Sequence, residues 1–351
     1  MHPPRICHLN LAASYRGGER QTELLVRELA RRNWRQRLVV RRGSPLARRC
    51  RDVEGLEIAE VKGHPLPAAL AARGCSLLHA HEARSAHAGW MLQWASDTPY
   101  VMTRRIDHAK GKTWVRTRAY RSADCVVAIS ESVARSVEAH YTDVRCRIVP
   151  SAHANMLNGH AADGAFFGKR NGKIVIGHIG DLDHSHKGQG TIIEAARQVR
   201  ESHPQLHFVL VGDGKDAQKF RRIANGLGNV EFAGFVENVG DYLAAFDVFI
   251  YPTLREGLGS TLLDAMSFGL PIVASQVGGI PEIVEDKVNG LLIPPGSPRD
   301  LVAALRRVVD DEMLRTAMRR ENRTKAAQFG VDRMASSYES IYRSLLERQP
   351  A

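Results

Sequence analysis

Short apolar runs alternate with helix-periodic stretches along the chain, a pattern that suits parallel sheets covered by helices on both faces. In the first half the runs fall at residues 5–10, 37–40, 76–80, 100–103, 125–129 and 147–149. Between the first two, residues 19–33 place Leu24, Leu25 and Leu29 on one helical face. Residues 151–172 lose this periodicity and carry Gly, Asn, Asp and Ala. A second series follows at 174–179, 206–211, 230–232, 248–251 and 271–274. Two such series joined by one irregular stretch predict an α/β protein of two doubly wound, Rossmann-like domains facing each other across a cleft. A length of 351 residues is comfortable for two cores. The expected boundaries are 1–155, 156–330 and a C-terminal helix over 331–351 that packs back on the first domain.

Composition narrows the class. Apolar residues make up 44% and charged residues 25%, as in a globular protein of the aqueous phase. No apolar run approaches the ~20 residues of a membrane-spanning helix, and the N-terminus leads into a strand-like run rather than a signal-peptide core. The five cysteines (Cys7, Cys50, Cys75, Cys125 and Cys146) are odd in number and lack C-x-x-C spacing. They read as reduced thiols of a cytoplasmic protein, not as a disulfide framework or a zinc site. Of the net charge of +11, all lies in the first half: residues 1–150 carry 26 Lys and Arg against 14 acids, the remainder 23 against 24. Nucleic acid, an anionic membrane surface, a phosphorylated substrate or simple surface solvation would each account for that excess.

The segment from Tyr251 to Ala274 carries the most chemistry: strand, glycine-bearing loop, helix, strand. Gly257 and Gly259 allow close backbone approach to a ligand, and Ser260 is expected to cap the next helix. Free N–H groups at that helix start favour an anion, most simply a diphosphate. Asp264 stands about 6 Å further along the axis, where a carboxylate would meet a ribose. Glu256, before the helix, would face the sugar end of the same ligand.

Here the sequence resembles the family 4 glycosyltransferases, retaining enzymes of the GT-B fold. The family signature is two Glu eight positions apart within E-G-[FL]-G. Glu256-Gly257-Leu258-Gly259 supplies the first half, and Ala265-Met266, Gly269, Pro271, Val277-Gly278-Gly279 and Pro281-Glu282 continue it. The resemblance implies that Glu256 contacts donor-sugar hydroxyls. It puts Asp264, one methylene shorter than the family's Glu, on the ribose. Gly177 to Gly190 is similar to the family's G-R-L-x-x-x-K-G loop. Lys187 thereby takes the diphosphate role, while Asp181 replaces the family's Arg. Gly212-Asp213-Gly214 and Gly234-Phe235-Val236 resemble the stretches that line the nucleotide pocket and pack on the base.

The first half continues the resemblance. Gly17-Gly18-Glu19-Arg20 opens the first long helix, and Gly18 is the expected backbone contact to the diphosphate. In His79-Ala80-His81-Glu82, His81 matches the family's cleft histidine, and His79 is expected on the opposite face as core. Metal ligation by His79 and His81, or by His184 and His186, lacks converging carboxylates, so no metal is expected. Arg104 and Arg105, with Asp107, follow a strand, where guanidinium forks suit an acidic or phosphorylated acceptor. Lys110, Lys112, Arg116, Arg118 and Arg121, interleaved with Trp114, Val115 and Tyr120, extend a basic run suited to an anionic membrane. Ser130-Glu131-Ser132 matches a helix cap, and Pro150-Ser151-Ala152-His153 departs from the family's P-N-G.

The resemblance thus implies transfer of a sugar, with retained configuration, from a nucleoside diphosphate sugar (UDP-sugar favoured) and with no other cofactor. The expected catalytic residues are Glu256, Lys187 and His81. Donor contacts are expected from Gly18, Lys187, Gly212, Phe235, Val236, Glu256, Gly257, Leu258, Gly259, Ser260 and Asp264. The acceptor would be an acidic glycolipid or phosphorylated glycan, of lipopolysaccharide-core type, at the inner face of a bacterial cytoplasmic membrane. Three alternatives stand beside this reading. Asp181 and Asp264 prompt an inactive sugar-nucleotide-binding regulator. A dinucleotide oxidoreductase needs a G-x-G-x-x-G that residues 9–18 lack. A nucleic-acid binder leaves the E-G-L-G segment without a purpose.

Overall fold

The computed structural model describes residues 3–107, 113–154, 156, 172–183 and 186–348. Lys110, Lys112 and His184 lie outside them. The chain divides into two compact units, Met1–Ala152 with Gly330–Ala351, and His153–Phe329.

The first unit is built on a seven-stranded parallel sheet of order β3-β2-β1-β4-β5-β6-β7. Its strands are β1 (Arg5–Asn10), β2 (Arg35–Arg41), β3 (Leu56–Val61), β4 (Leu77–Ala80), β5 (Tyr100–Arg104), β6 (Cys125–Ala128) and β7 (Cys146–Ile148). The second unit carries a six-stranded parallel sheet of order β10-β9-β8-β11-β12-β13. Its strands are β8 (Ile174–Ile179), β9 (Leu206–Val211), β10 (Val230–Gly234), β11 (Val248–Tyr251), β12 (Ile272–Ser275) and β13 (Gly290–Ile293). Each sheet grows outward from its first strand in one direction and then restarts on that strand's other side. The order therefore switches between β1 and β4, and again between β8 and β11. In open parallel sheets the crevice beyond the strand carboxyl ends at such a switch is where ligands bind.

Both cores follow from strands buried on two faces. In the second unit Ile176, Phe208, Leu210, Val248, Ile250 and Val273 pack against helix residues Ile192, Leu301, Leu305 and Val308. In the first, Ile6, Leu77, Val101 and Val127 meet Leu25 and Leu29 from helix Gly17–Arg31, with Met334, Tyr338, Ile341, Tyr342 and Leu345 from helix Val331–Leu346. The C-terminal helix is thus part of the first unit's core. Arg32 pins it further, donating to Glu339 at 3.0 Å and to the Asp332 carbonyl at 2.8 Å.

The break between units falls after Ala152, where hydrogen bonds change partner. Gln21 exchanges two bonds with the Ala152 backbone, at 2.7 and 2.8 Å, whereas the His153 N–H donates to Phe329 of the second unit at 3.0 Å. Two strands escape the periodicity argument. Both lie at a sheet edge; β3 carries Glu57 and Glu60, and β13 opens on Gly290. Among the described residues no helix is long and apolar enough to cross a membrane.

Ile341 is 3% exposed within the first unit's core. Ile341→Ala is expected to lower stability by about 2–5 kcal/mol through lost burial and a residual cavity, read from the midpoint of denaturant unfolding.

Candidate active site

The loops that leave β8, β9 and β11 are stitched to one another by backbone contacts. Leu182 exchanges bonds with the next loop, its N–H donating to the Asp213 carbonyl at 3.0 Å and its carbonyl accepting from Asp216 at 3.1 Å. The His186 carbonyl accepts from the Leu254 N–H at 2.7 Å and from the Thr253 hydroxyl at 2.6 Å. Two glycines permit this closeness. A Cβ on Gly188, whose φ is +71°, would lie 1.9 Å from the Pro252 carbonyl oxygen, and one on Gly212 would lie 2.1 Å from that of Gly180. No side chain fits either place.

Lys187 precedes Gly188, so the contact that fixes Gly188 also fixes the ammonium. Its Nζ donates to Glu256 Oε2 at 2.7 Å and to the Tyr251 hydroxyl at 2.7 Å. The Tyr251 hydroxyl in turn donates to Glu256 Oε2 at 2.6 Å, and the Gly257 N–H donates to Oε1 at 3.1 Å. Lys187 follows β8 and Glu256 follows β11, so the pair flanks the switch point of the second sheet. Burial pulls the Lys187 ammonium down, but Tyr251 and Glu256 more than reverse this and leave it above its ordinary value. Burial likewise pushes the Glu256 carboxyl up, yet the Lys187 charge and three hydrogen bonds leave it below the ordinary carboxylate range. Both groups therefore stay charged through the neutral range. Tyr251 opens the segment singled out from the sequence but no role is expected of it there; its only signal is its place as the last residue of β11, five before Glu256.

The remaining second-unit positions fall around this pair with some corrections. Gly259, not Ser260, occupies the cap position of helix Ser260–Ser267. It has φ +97° and no side-chain cap, because the loop needs a left-handed turn there, and Ser260 becomes the first helical residue. Gly257 and Leu258 are buried, Leu258 to 2%. Asp264 is 2% exposed and its Oδ1 accepts from the Ala154 N–H at 2.9 Å, so this carboxylate already anchors the chain where the second unit begins. Phe235 lies just beyond β10 with 71% of its surface exposed, and Val236 is half-buried.

The first unit gathers its residues at the β1–β4 switch. His8 on β1 pairs in register with His79 on β4. His79 and His81 do not alternate as expected: their rings are 3.8 Å apart, since strand residues two positions apart share a face. His81 Nε2 lies 3.0 Å from His8 Nδ1, while its Nδ1 is buried with no hydrogen-bond partner. His79 spends both nitrogens on hydroxyls, Tyr342 at 2.5 Å and Thr103 at 2.7 Å. Burial lowers all three imidazoles, His8 to about 4, and Arg105 adds to the effect at His79 and His81. Their ligand atoms lie within 4.8 Å of one another, the one group among the described residues close enough to hold a metal ion, although His79 is committed to its hydroxyl partners.

Arg104 and Arg105 were expected to act as a pair, and the structure separates them. Arg105 reaches over Gly18, where a Cβ would stand 3.4 Å from its Cδ, and its Nε is buried with no partner. Burial lowers the Arg105 guanidinium, with Glu19 and two tyrosines opposing. Arg104 donates to the Ile106 carbonyl at 3.0 Å, and its charge bears instead on Tyr120 and Tyr141. Consecutive residues of an extended chain point to opposite sides, which is the physical reason. The Asp107 carbonyl accepts from the Ser136 hydroxyl. Ser130 caps helix Glu131–His140 as expected, accepting from the Val133 N–H at 3.1 Å.

Residues 16–152 match a family model described as glycosyl transferase 4-like domain, and residues 173–311 one described as glycosyl transferases group 1. The chain is 27% identical over 331 residues to the lipopolysaccharide core biosynthesis glycosyltransferase LpsE of Rhizobium meliloti, covering 92% of this chain and 94% of that protein. It is 26% identical to the D-inositol 3-phosphate glycosyltransferase of Corynebacterium jeikeium, covering 78% and 75%. Among solved structures, Anabaena HepE in complex with UDP-glucose superposes with a TM-score of 0.85 at 20% identity, covering 97% and 99%. WaaG, a glycosyltransferase involved in lipopolysaccharide biosynthesis, superposes at 0.68 with 19% identity, covering 96% and 99%. At these identities the superpositions establish the shared fold.

The ion pair makes a prediction about pH. The Glu256 contribution is present above the carboxyl's unfolded value and lost as pH falls through its depressed folded value. The Lys187 contribution is present below the ammonium's unfolded value and lost only at strongly alkaline pH. Lys187→Met should therefore cost about 1.5–3 kcal/mol at pH 7. The deficit should shrink as Glu256 is protonated, which denaturant unfolding of both proteins at pH 7 and pH 4 will show.

Proposed function

Because the chain belongs to the group 1 glycosyltransferases with a glycosyl transferase 4-like first domain, we propose that it moves a sugar from a UDP-sugar to an acceptor hydroxyl with retention of configuration. It is a glycosyltransferase of GT-B fold; donor, stereochemistry and acceptor are the proposal. The observation that carries it is the Lys187–Glu256 pair at the β8–β11 switch, 2.7 Å apart. A diphosphate arriving there competes for Lys187 with more negative charge than one carboxylate offers. Lys187 then neutralises the diphosphate, aided by the N–H groups at the start of helix Ser260–Ser267. Glu256, released, accepts from the sugar hydroxyls. The UDP and UDP-glucose held by the Anabaena structures support the choice of base.

In this reading the bond from the anomeric carbon to the β-phosphate oxygen breaks as the acceptor oxygen bonds to the same face of that carbon. The acceptor proton passes to the departing phosphate oxygen. Stabilising that leaving group is the main catalytic device, and no metal or other cofactor is assigned a part. Asp264 toward the ribose, Phe235 and Val236 toward the base, and Gly212, Leu258 and Gly259 as backbone lining complete the donor contacts proposed for the second unit. Gly18 and His81 are the contacts proposed from the first.

The acceptor is proposed to be an acidic glycolipid or phosphorylated glycan of lipopolysaccharide-core type, met at the inner face of a bacterial cytoplasmic membrane. The name of the Rhizobium relative and the +12 charge of residues 1–150 support this. So does helix Trp114–Arg121, where Trp114 is 66% exposed with the Arg118 guanidinium 5.8 Å from its ring centre. Aromatic and basic side chains together suit an anionic lipid surface.

A thermal-shift series with UDP-, GDP- and ADP-sugars tests the donor, since a true donor stabilises the fold by binding. Glu256→Gln is expected to keep the fold and to slow transfer by roughly a hundredfold or more; near-normal turnover in the folded variant would remove Glu256 from the site. Arg104→Ala is expected to raise the acceptor KM and to flatten its salt dependence, with the donor KM unchanged. Acceptor titrations at saturating donor, at low and high salt, measure this. A fall in donor affinity instead would assign Arg104 to the nucleotide.

A further inference from the structure

Within the donor site one hydroxyl has no role in the reaction as written above. Tyr251 ends β11 and is 2% exposed. Its ring lies 5.9 Å from that of His178 and stacks at 6.1 Å on that of Phe249. Lys187 and Glu256 hang from loops, whereas the Tyr251 oxygen is carried by the sheet itself. It touches both, accepting from Lys187 at 2.7 Å and donating to Glu256 Oε2 at 2.6 Å.

Resting on the donor-site reading, we infer that Tyr251 is a positioning residue: its hydroxyl holds the Glu256 carboxylate in place while Lys187 exchanges that carboxylate for the donor's diphosphate. Without the hydroxyl, the exchange would strip Oε2 of both protein donors at once. A carboxylate only 16% exposed would be left with the single Gly257 N–H on its other oxygen. An ionised group so placed either takes up a proton or turns toward water. Either response withdraws the acceptor that the sugar hydroxyls need. The phenol prevents both, because it donates one hydrogen bond from a fixed point and adds no positive charge to compete with Lys187. Its donation also opposes the upward pull of burial on the Glu256 carboxyl.

Tyr251→Phe removes the oxygen and keeps the ring, while Tyr251→Leu removes both and serves as the packing control. Purified full-length wild type and both variants are compared for UDP affinity by calorimetry, for turnover of UDP-glucose from pH 5 to 9, and for melting temperature without ligand. Tyr251→Phe is expected to bind UDP within about threefold of wild type and to lose at least tenfold in kcat. The acid limb of its kcat/KM profile should move to higher pH, because a carboxylate that loses a donor binds its proton more tightly. Without ligand, the gap in melting temperature between wild type and Tyr251→Phe should narrow as pH falls toward 4. The inference is overturned if Tyr251→Phe matches wild type in kcat and acid limb, or if the melting gap does not change with pH. A loss confined to Tyr251→Leu assigns the ring a packing role only and likewise overturns it. Wild type that neither binds UDP nor turns over UDP-glucose overturns the donor-site reading instead, and the ligand-free melting series still tests the coupling of hydroxyl to carboxylate.

Discussion

The loops at the carboxyl edge of the second sheet approach so closely that their backbones touch, and the charged centre depends on that contact. Gly188 against the Pro252 carbonyl and Gly212 against the Gly180 carbonyl leave no room for a Cβ. The His186 carbonyl, bonded to Thr253 and Leu254, locks the same two loops from the other side of Lys187. An ammonium on a long flexible stem ordinarily samples many positions. Here its Cα is flanked by two fixed backbone contacts, and its charge meets Glu256 two residues beyond Leu254. The ion pair is therefore set by main-chain geometry more than by the reach of the side chains. The desolvation that would otherwise penalise both ions is offset by three short hydrogen bonds sharing two oxygens.

The first unit solves a different electrostatic problem. Its switch point holds three imidazoles and Arg105 within a largely buried setting. Burial keeps all three rings neutral, and at His79 and His81 protonation would also place a second positive charge near the Arg105 guanidinium. Tyr342 and Tyr338 from helix Val331–Leu346 complete the arrangement, bonding His79 and Thr103 respectively. The last helix of the chain thus fixes side chains on β4 and β5 as well as covering the core. That explains why a segment so distant in sequence belongs to this unit.

What the sequence reveals and conceals follows from range. The alternation of strand and helix is local, and it located most strands of both sheets; most of the stretch expected to be irregular, 155 and 157–171, lies outside the described residues. It passed over β3 and β13, both edge strands: the first tolerates Glu57 and Glu60, and the second opens on Gly290. Glu256 and Lys187 were legible because they sit in glycine-punctuated motifs. Their pairing was not, since it depends on β8 lying beside β11, a neighbour relation between residues some 70 positions apart. Tyr251 escaped for the same reason: at a strand end it reads as core until the loops close over it. The cap at Gly259 and the shared face of His79 and His81 were open to stricter local reasoning. Glycine supplies the positive φ that Ser260 would resist, and strand residues two apart cannot alternate.

The two units also divide the charge. The second is close to neutral, with 20 basic against 21 acidic residues over 153–329, and its central cation is already spent on Glu256. In the proposed reaction donor recognition is then an exchange of partners at contact distance in a partly dry setting, where dissolved salt screens little. The first unit keeps an excess of twelve positive charges that internal pairing does not cancel. Its field extends into solvent over about a Debye length and draws anionic groups before any contact forms. Selectivity for the donor would rest on hydrogen-bond geometry around Lys187, Glu256 and Tyr251, and capture of an acidic acceptor on long-range attraction. In the proposed reaction a single chain would thereby keep its donor binding steady across ionic conditions while its acceptor capture responds to them.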